Sequence, residues 1–163
     1  MTYETTLVYS VPLLRKAVFA FWRRSIGAGY VVILILLSAF LAFRVLQGDT
    51  SWAVGALGSA LALGMGMAVA LYVVHFRNAM SKFSALDDSK ATFRAEESSF
   101  TLTSSMGTVT YRWSTIKEVW QFPDICLLLF SKAQFVTIPT ACLPDGMRAF
   151  ILQRVLDAGG KVR

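Results

Sequence analysis

Histidine is nearly missing from this chain, and cysteine is scarce. His75 is the one imidazole among 163 residues, and the two cysteines, Cys126 and Cys142, are separated by fifteen residues. That spacing fits no CxxC pair and no zinc-ligand pattern, so no metal or other cofactor is expected and both side chains read as buried or half-buried free thiols. A catalytic nucleophile needs a base and an orienting group beside it, and a single imidazole leaves no such set. The neighbouring carboxylates Asp87 and Asp88, or Glu96 and Glu97, do not replace it. Adjacent side chains point apart on helices and strands alike, so these pairs read as solvated turns. The glycines of GMGMA, Gly64 to Ala68, lie inside an apolar run and follow no strand, which is not how a phosphate is cradled. No enzymatic chemistry is expected.

Charge is also sparse, at 16% of residues against 55% hydrophobic, with a net of +6. No basic tail or basic stripe with interleaved aromatics is present, so nucleic acid is not an expected partner. Two stretches have no formal charge at all: Ile26–Phe43, and Trp52–Phe76 with His75 neutral. A helix of about 20 residues crosses the roughly 30 Å hydrocarbon core of a bilayer. The remaining chain is too small to cover two helices that are apolar all round, so both read as transmembrane. Charge within the membrane, the usual sign of an ion path, is missing, and transport by this chain alone is not expected.

Lysine and arginine favour the cytoplasmic side of inserted helices. Arg15, Lys16, Arg23 and Arg24 precede the first run, and Arg77, Lys82 and Lys90 follow the second. The connector RVLQGDTSWAVG offers only Asp49 and an Arg44 whose stem can snorkel. Both termini are therefore expected in the cytoplasm, with GDTSW as a short outer turn. The start MTYETTLVYS lacks the charged n-region and apolar core of a secretory signal. Arg23, Arg24, Arg77 and Lys82 would form an inner basic collar toward anionic lipid. In the second helix Gly55, Ser59, Ala62, Gly66 and Ala70 recur every three or four residues, a small-residue ridge on which another helix can pack closely. Helix one is the expected partner, ahead of a second copy or a foreign membrane protein.

Before the first run, TYETTLVYS alternates as a strand of about eight residues does. PLLRKAVFAFWRRS then has helical spacing, with Leu14, Val18, Phe21 and Trp22 on one side. It suits an interfacial helix or an extension of helix one. After Phe76 a polar helical continuation frays near Asp87 and Asp88. The period then changes to two: ATFRAEE, SFTLTS, TVTYRW, STIKEVWQ, ICLLLFS and AQFVTIP, broken by turns such as SSMG, FPD and SKA, imply a tight antiparallel meander. LPDGMRAFILQRVLDAGG closes the chain with a helix, started by Pro144 and Asp145 and carrying Met147, Phe150, Ile151 and Val155 on one face. Successive antiparallel strands closed by one C-terminal helix outline a pleckstrin-homology (PH)-like barrel.

The chain resembles the YcxB-like family of small bacterial membrane proteins. The resemblance lies in the TYETTLVYS start, the basic pair before helix one, SFTLTSSMGTVTYRWSTIKEVWQ, and VTIPTACLPDGMRAFILQRV. Its best marks are Trp113, Ile116 and Val119, and the Ile138-Pro139 step. It implies two transmembrane helices with a PH-like cytoplasmic domain at the bacterial inner membrane, and it brings no catalytic residues. Thr140 stands where a basic residue is expected, which weakens anionic-ligand binding there.

The expected fold class is an α+β membrane protein. Residues 1–25 would form a strand and juxtamembrane basic helix, 26–76 a transmembrane hairpin (helices about 26–46 and 52–76), 77–89 a linker or helix extension, and 90–163 the PH-like domain. Its expected role is protein docking at the membrane, with toxin immunity or lipid sensing as alternatives. The expected partners are the lipid bilayer and a membrane protein, a toxin or another copy. Trp120, Phe122 and Phe135 are the candidate contact aromatics.

Overall fold

The computed structural model describes residues 2–86, 88–131 and 134–163. Asp87, and Lys132 and Ala133 of the expected SKA turn, lie outside the described residues. The chain divides into two compact units, one running from the N-terminus through Ala17 and resuming over Asn78–Arg163, the other covering Val18–Arg77. The fold is α+β, with two long apolar helices and mainly antiparallel sheets.

Helix α1 spans Val11–Leu46 and α2 spans Trp52–Ser84. Both are long and apolar enough to cross a membrane. Within α2 only Leu61 is buried, so its apolar side chains face outward nearly all round. Helix α1 is two helices joined at Gly27, where φ is 76° and ψ is 156°. That backbone region is essentially closed to residues with a Cβ. The break separates the basic segment, Arg15 to Arg24, from the charge-free run and gives the two stretches separate helical axes. At the connector, Arg44 pairs with the Asp49 carboxylate, and Asp49 Oδ1 accepts the Ser51 N–H at 2.8 Å. These contacts, the Ser51 bond foremost, hold the Asp49 carboxyl below its ordinary range.

The other unit contains two four-stranded sheets where a single meander was expected. In the first, β1 (Tyr3–Val8), β2 (Lys90–Ala95), β3 (Ser99–Ser104) and β4 (Gly107–Arg112) lie in chain order, every pair antiparallel. The second has the order β7-β6-β5-β8, from β5 (Glu118–Gln121), β6 (Ile125–Leu129), β7 (Phe135–Pro139) and β8 (Lys161–Val162). The meander divides at a 3₁₀ turn, Trp113–Thr115, that shortens the expected STIKEVWQ strand. The turn buries Trp113 to 2% exposure, and its indole donates to Glu96 O at 2.8 Å. The closing pair β5–β8 is parallel and was not foreseen.

Helix α3, Met147–Asp157, buries Met147, Ile151 and Val155 against the core, with Phe150 half-buried. Its N-cap is Gly146 in the left-handed conformation, not Asp145. The core joins both sheets and α3 through Phe93, Phe100, Ile116, Val119, Leu128 and Ile138. Leu7 of β1 belongs to that same core at 0% exposure. The N-terminal strand is thus an integral edge of the sheet that begins eighty residues later in sequence.

Candidate interaction surface

Of the small-residue ridge, only Ala62 lines the groove between α2 and helix one. Gly55, Ser59, Ala62, Gly66 and Ala70 are all exposed, and a methyl group added at Gly55 or Gly66 would meet nothing within 4 Å. The face of α2 that meets α1 is displaced from the ridge by one to two residues, roughly 100–200° around the helix. It carries Gly58, Leu61, Gly64 and Ala68. Tyr30 donates its hydroxyl to Gly64 O at 2.8 Å, and the Trp22 indole donates to Ala68 O at 2.7 Å. The physical reason is that Tyr and Trp in an apolar helix need acceptors, and a main-chain carbonyl is reachable where the side chain is smallest. Toward the Arg44–Asp49 turn the two helices leave an open apolar groove of about 600 Å³, lined by Leu41, Val45, Gly58, Leu61 and Met65 among others.

The basic residues Arg23, Arg24, Arg77 and Lys82 are exposed, but they are divided between units: the first three belong to the helical unit and Lys82 to the β unit. His75 places its ring edge-on to Phe21, centroids 4.9 Å apart.

Trp120 is withdrawn from the surface. It is 8% exposed, and its indole donates to Glu118 Oε2 at 2.7 Å. Its strand neighbour Val119 lies in the core, so alternation sets Trp120 on the opposite face of that sheet, where it is nonetheless buried. Phe122 and Phe135 are half-buried, Phe135 opposite Leu129. Cys126 is buried and Cys142 half-buried, both as free thiols. Burial pushes the Cys126 thiol up to about 11, against a smaller lowering by Arg148.

The surface that sequence reading missed is the outer face of the first sheet. Strand register aligns one threonine from each strand into a row: Thr6 opposite Thr92, Thr92 opposite Thr103, Thr103 opposite Thr108. A second row runs Glu4, Arg94, Thr101, Thr110. The hydroxyls of Thr101 and Thr110 lie 2.8 Å apart and those of Thr103 and Thr108 3.1 Å apart. Lys90, Arg94 and Arg112 stand on this face with Glu4, and Arg94 is paired to Glu96 at 2.8 Å. The period-two pattern shows that threonines share a face. Register, which sets them side by side, is not written in any one strand.

Residues 96–153 match the family model described as YcxB-like protein. The matched stretch holds Trp113, Ile116, Val119, Ile138 and Pro139; the N-terminal strand and both long helices lie outside it. No curated protein and no solved structure matches the chain.

Proposed function

We propose that this chain, which carries a YcxB-like domain over residues 96–153, is an inner-membrane protein presenting a PH-like cytoplasmic module for protein docking. The observation that carries the reading is the pairing, on one chain, of two helices whose charge-free runs have almost nothing buried against them and a compact β unit with one uncovered sheet face. Apolar helices with bare flanks are stable in lipid. A four-stranded antiparallel sheet, three further antiparallel strands and a C-terminal helix, in that order, support the PH-like description.

The outer sheet face brings threonine hydroxyls together with three cations and one carboxylate. It suits a protein partner that presents negative charge and hydrogen-bond acceptors. Confinement to the bilayer raises the module's effective concentration toward membrane partners. The placement is tested by a reporter fused after Arg163, which is expected to be active in the cytoplasm; activity in the periplasm defeats it. Docking is tested with the full chain in solubilised membranes. The unaltered protein is expected to recover a stoichiometric partner that the Lys90→Glu/Arg112→Glu variant loses. If the double variant retains that partner, or if binding tracks anionic lipid alone, the docking reading is wrong.

A further inference from the structure

We propose that the outer edge of β4 is a self-association site, where two copies of this chain pair antiparallel and extend their four-stranded sheets into one of eight strands. The inference begins with backbone parity. In an antiparallel pair, residues alternate between those bonded to the neighbouring strand and those directed away from it. Past the end of β3–β4, Trp113 N–H still donates to Ser98 O, which assigns Gly107, Val109 and Tyr111 to bonding with β3. The close hydroxyl contacts of Thr101 with Thr110 and Thr103 with Thr108 mark the alternate, unbonded pairs. Thr108, Thr110 and Arg112 therefore direct three N–H and three C=O groups outward. Of these, Arg112 O already accepts the Thr115 hydroxyl at 2.7 Å, which leaves it a second lone pair.

The edge carries none of the usual protections. Gly107–Arg112 has no proline, its register with β3 is unbroken, and its one charge stands at the far end. Natural sheets guard long exposed edges with such devices. Val109 points to the core side and is still 48% exposed, because β4 has no strand beyond it among the described residues. The opposite edge differs: beside β1, Thr5 donates to Cys142 O at 2.5 Å and Val8 N–H approaches Cys142 Sγ at 3.5 Å.

A second copy fits this edge by its own symmetry. With Thr110 on the two-fold axis, Thr110 opposes Thr110 and Thr108 opposes Arg112 on both sides, forming six backbone hydrogen bonds. Val109 of each copy then opposes Tyr111 of the other, an aromatic and β-branched pair of the kind that stabilises sheets. The two Arg112 residues end about 14 Å apart, four residues at about 3.4 Å each, beyond the screening length of roughly 8 Å. Two six-residue strands cover less than the roughly 1,200–2,000 Å² of a stable free complex. The pairing therefore draws its strength from confinement in a shared bilayer, and to that extent rests on the membrane placement above.

The test uses the full chain in native vesicles under mild oxidant. Cα atoms of a bonded antiparallel pair lie about 5.5 Å apart, within disulfide reach. Thr110→Cys is expected to trap most of the protein as a reductant-sensitive dimer, whereas Thr101→Cys, on the same face but one strand inward, and the unaltered chain do not dimerise. Adding Thr108→Pro removes an outward N–H and no bond to β3, and is expected to lower trapping at least about tenfold by deleting two of the six bonds. The proposal is overturned if Thr110→Cys stays monomeric while its thiol reacts with maleimide, if it cross-links to a different protein, or if Thr108→Pro leaves the yield unchanged. Alkaline extraction of the same vesicles distinguishes these results from failure of the membrane placement, which would release the chain into the soluble fraction.

Discussion

Two cases in the β unit show how burial sets chemistry and tolerance. The Cys126 thiol has its pKa pushed from 9.0 up to about 11 by burial, so the folded state keeps a proton that the unfolded chain gives up sooner. The stability linked to that proton is complete below pH 9 and lost as pH rises toward 11. Denaturant midpoints are expected to fall over that window, less steeply in Cys126→Ala, and maleimide at pH 8 should label Cys142 well before Cys126. The hydroxyl of half-buried Tyr9, which donates to Thr137 O at 3.0 Å, is likewise held protonated by desolvation and by Cys142, and it adds to the loss at still higher pH. Gly160 is the second case. A methyl group there would meet Val155 Cγ1 at 2.5 Å, Ile116 O at 2.9 Å and Val155 O at 3.0 Å. Two of those atoms are backbone and cannot yield cheaply, so Gly160→Ala is expected to cost about 1–3 kcal/mol, read as a lower midpoint in tryptophan fluorescence. The free thiols were legible from cysteine spacing. The tight site at Gly160 was not, because no local pattern shows that Ile116 O and Val155 crowd that glycine.

At the scale of elements, the helical pair separates what composition can and cannot say. Small residues lie on more than one face of α2, and their spacing alone suggested the Gly55–Ala70 ridge. The choice of face is made by Tyr30 and Trp22 on α1, whose donors reach the carbonyls of Gly64 and Ala68. A methyl at Gly64 would sit 3.3 Å from the Tyr30 hydroxyl and 3.4 Å from Leu34, and one at Gly66 touches nothing. Gly64→Leu is therefore expected to part the helices and lower the thermal midpoint in detergent, and Gly66→Leu to leave it nearly unchanged. The reverse order would restore the ridge as the contact face. The Gly27 break makes a parallel case. A straight helix from residue 19 to 43 would measure about 36 Å, and the kink at Gly27 departs from that geometry. Gly27→Ala should shift the distance between spin labels at Phe19 and Phe43 toward that value.

At the scale of the whole molecule, the succession of strands along the chain and the closing helix were legible from period and turn chemistry, but the strand order within the sheets and the division into two were not. It depends on Trp113 turning into the core, a tertiary event that overrides the β-like composition of STIKEVWQ. The N-terminal segment was legible as a strand from its alternation, and the structure shows what that strand supplies as a sheet edge. Strand β1 pairs with β2 over six residues, from Tyr3 opposite Ala95 to Val8 opposite Lys90. It places Leu7 in the core at 0% exposure, and Tyr9 hydrogen-bonds across to β7. Removing a fully buried leucine side chain alone costs about 2–5 kcal/mol, and small domains have only about 5–15 kcal/mol in total. A fragment of residues 78–163 is therefore expected to keep strand content by circular dichroism yet bind a hydrophobic dye and unfold without a cooperative transition. Supplying residues 2–10 as a separate peptide should restore the transition, because the missing strand pairs through main-chain bonds along one edge and needs no covalent link. A peptide with Leu7→Asp should not. If the fragment alone unfolds sharply, β1 is an ornament on a domain complete without it, and the head and tail of the chain are joined only by the apolar helices between them.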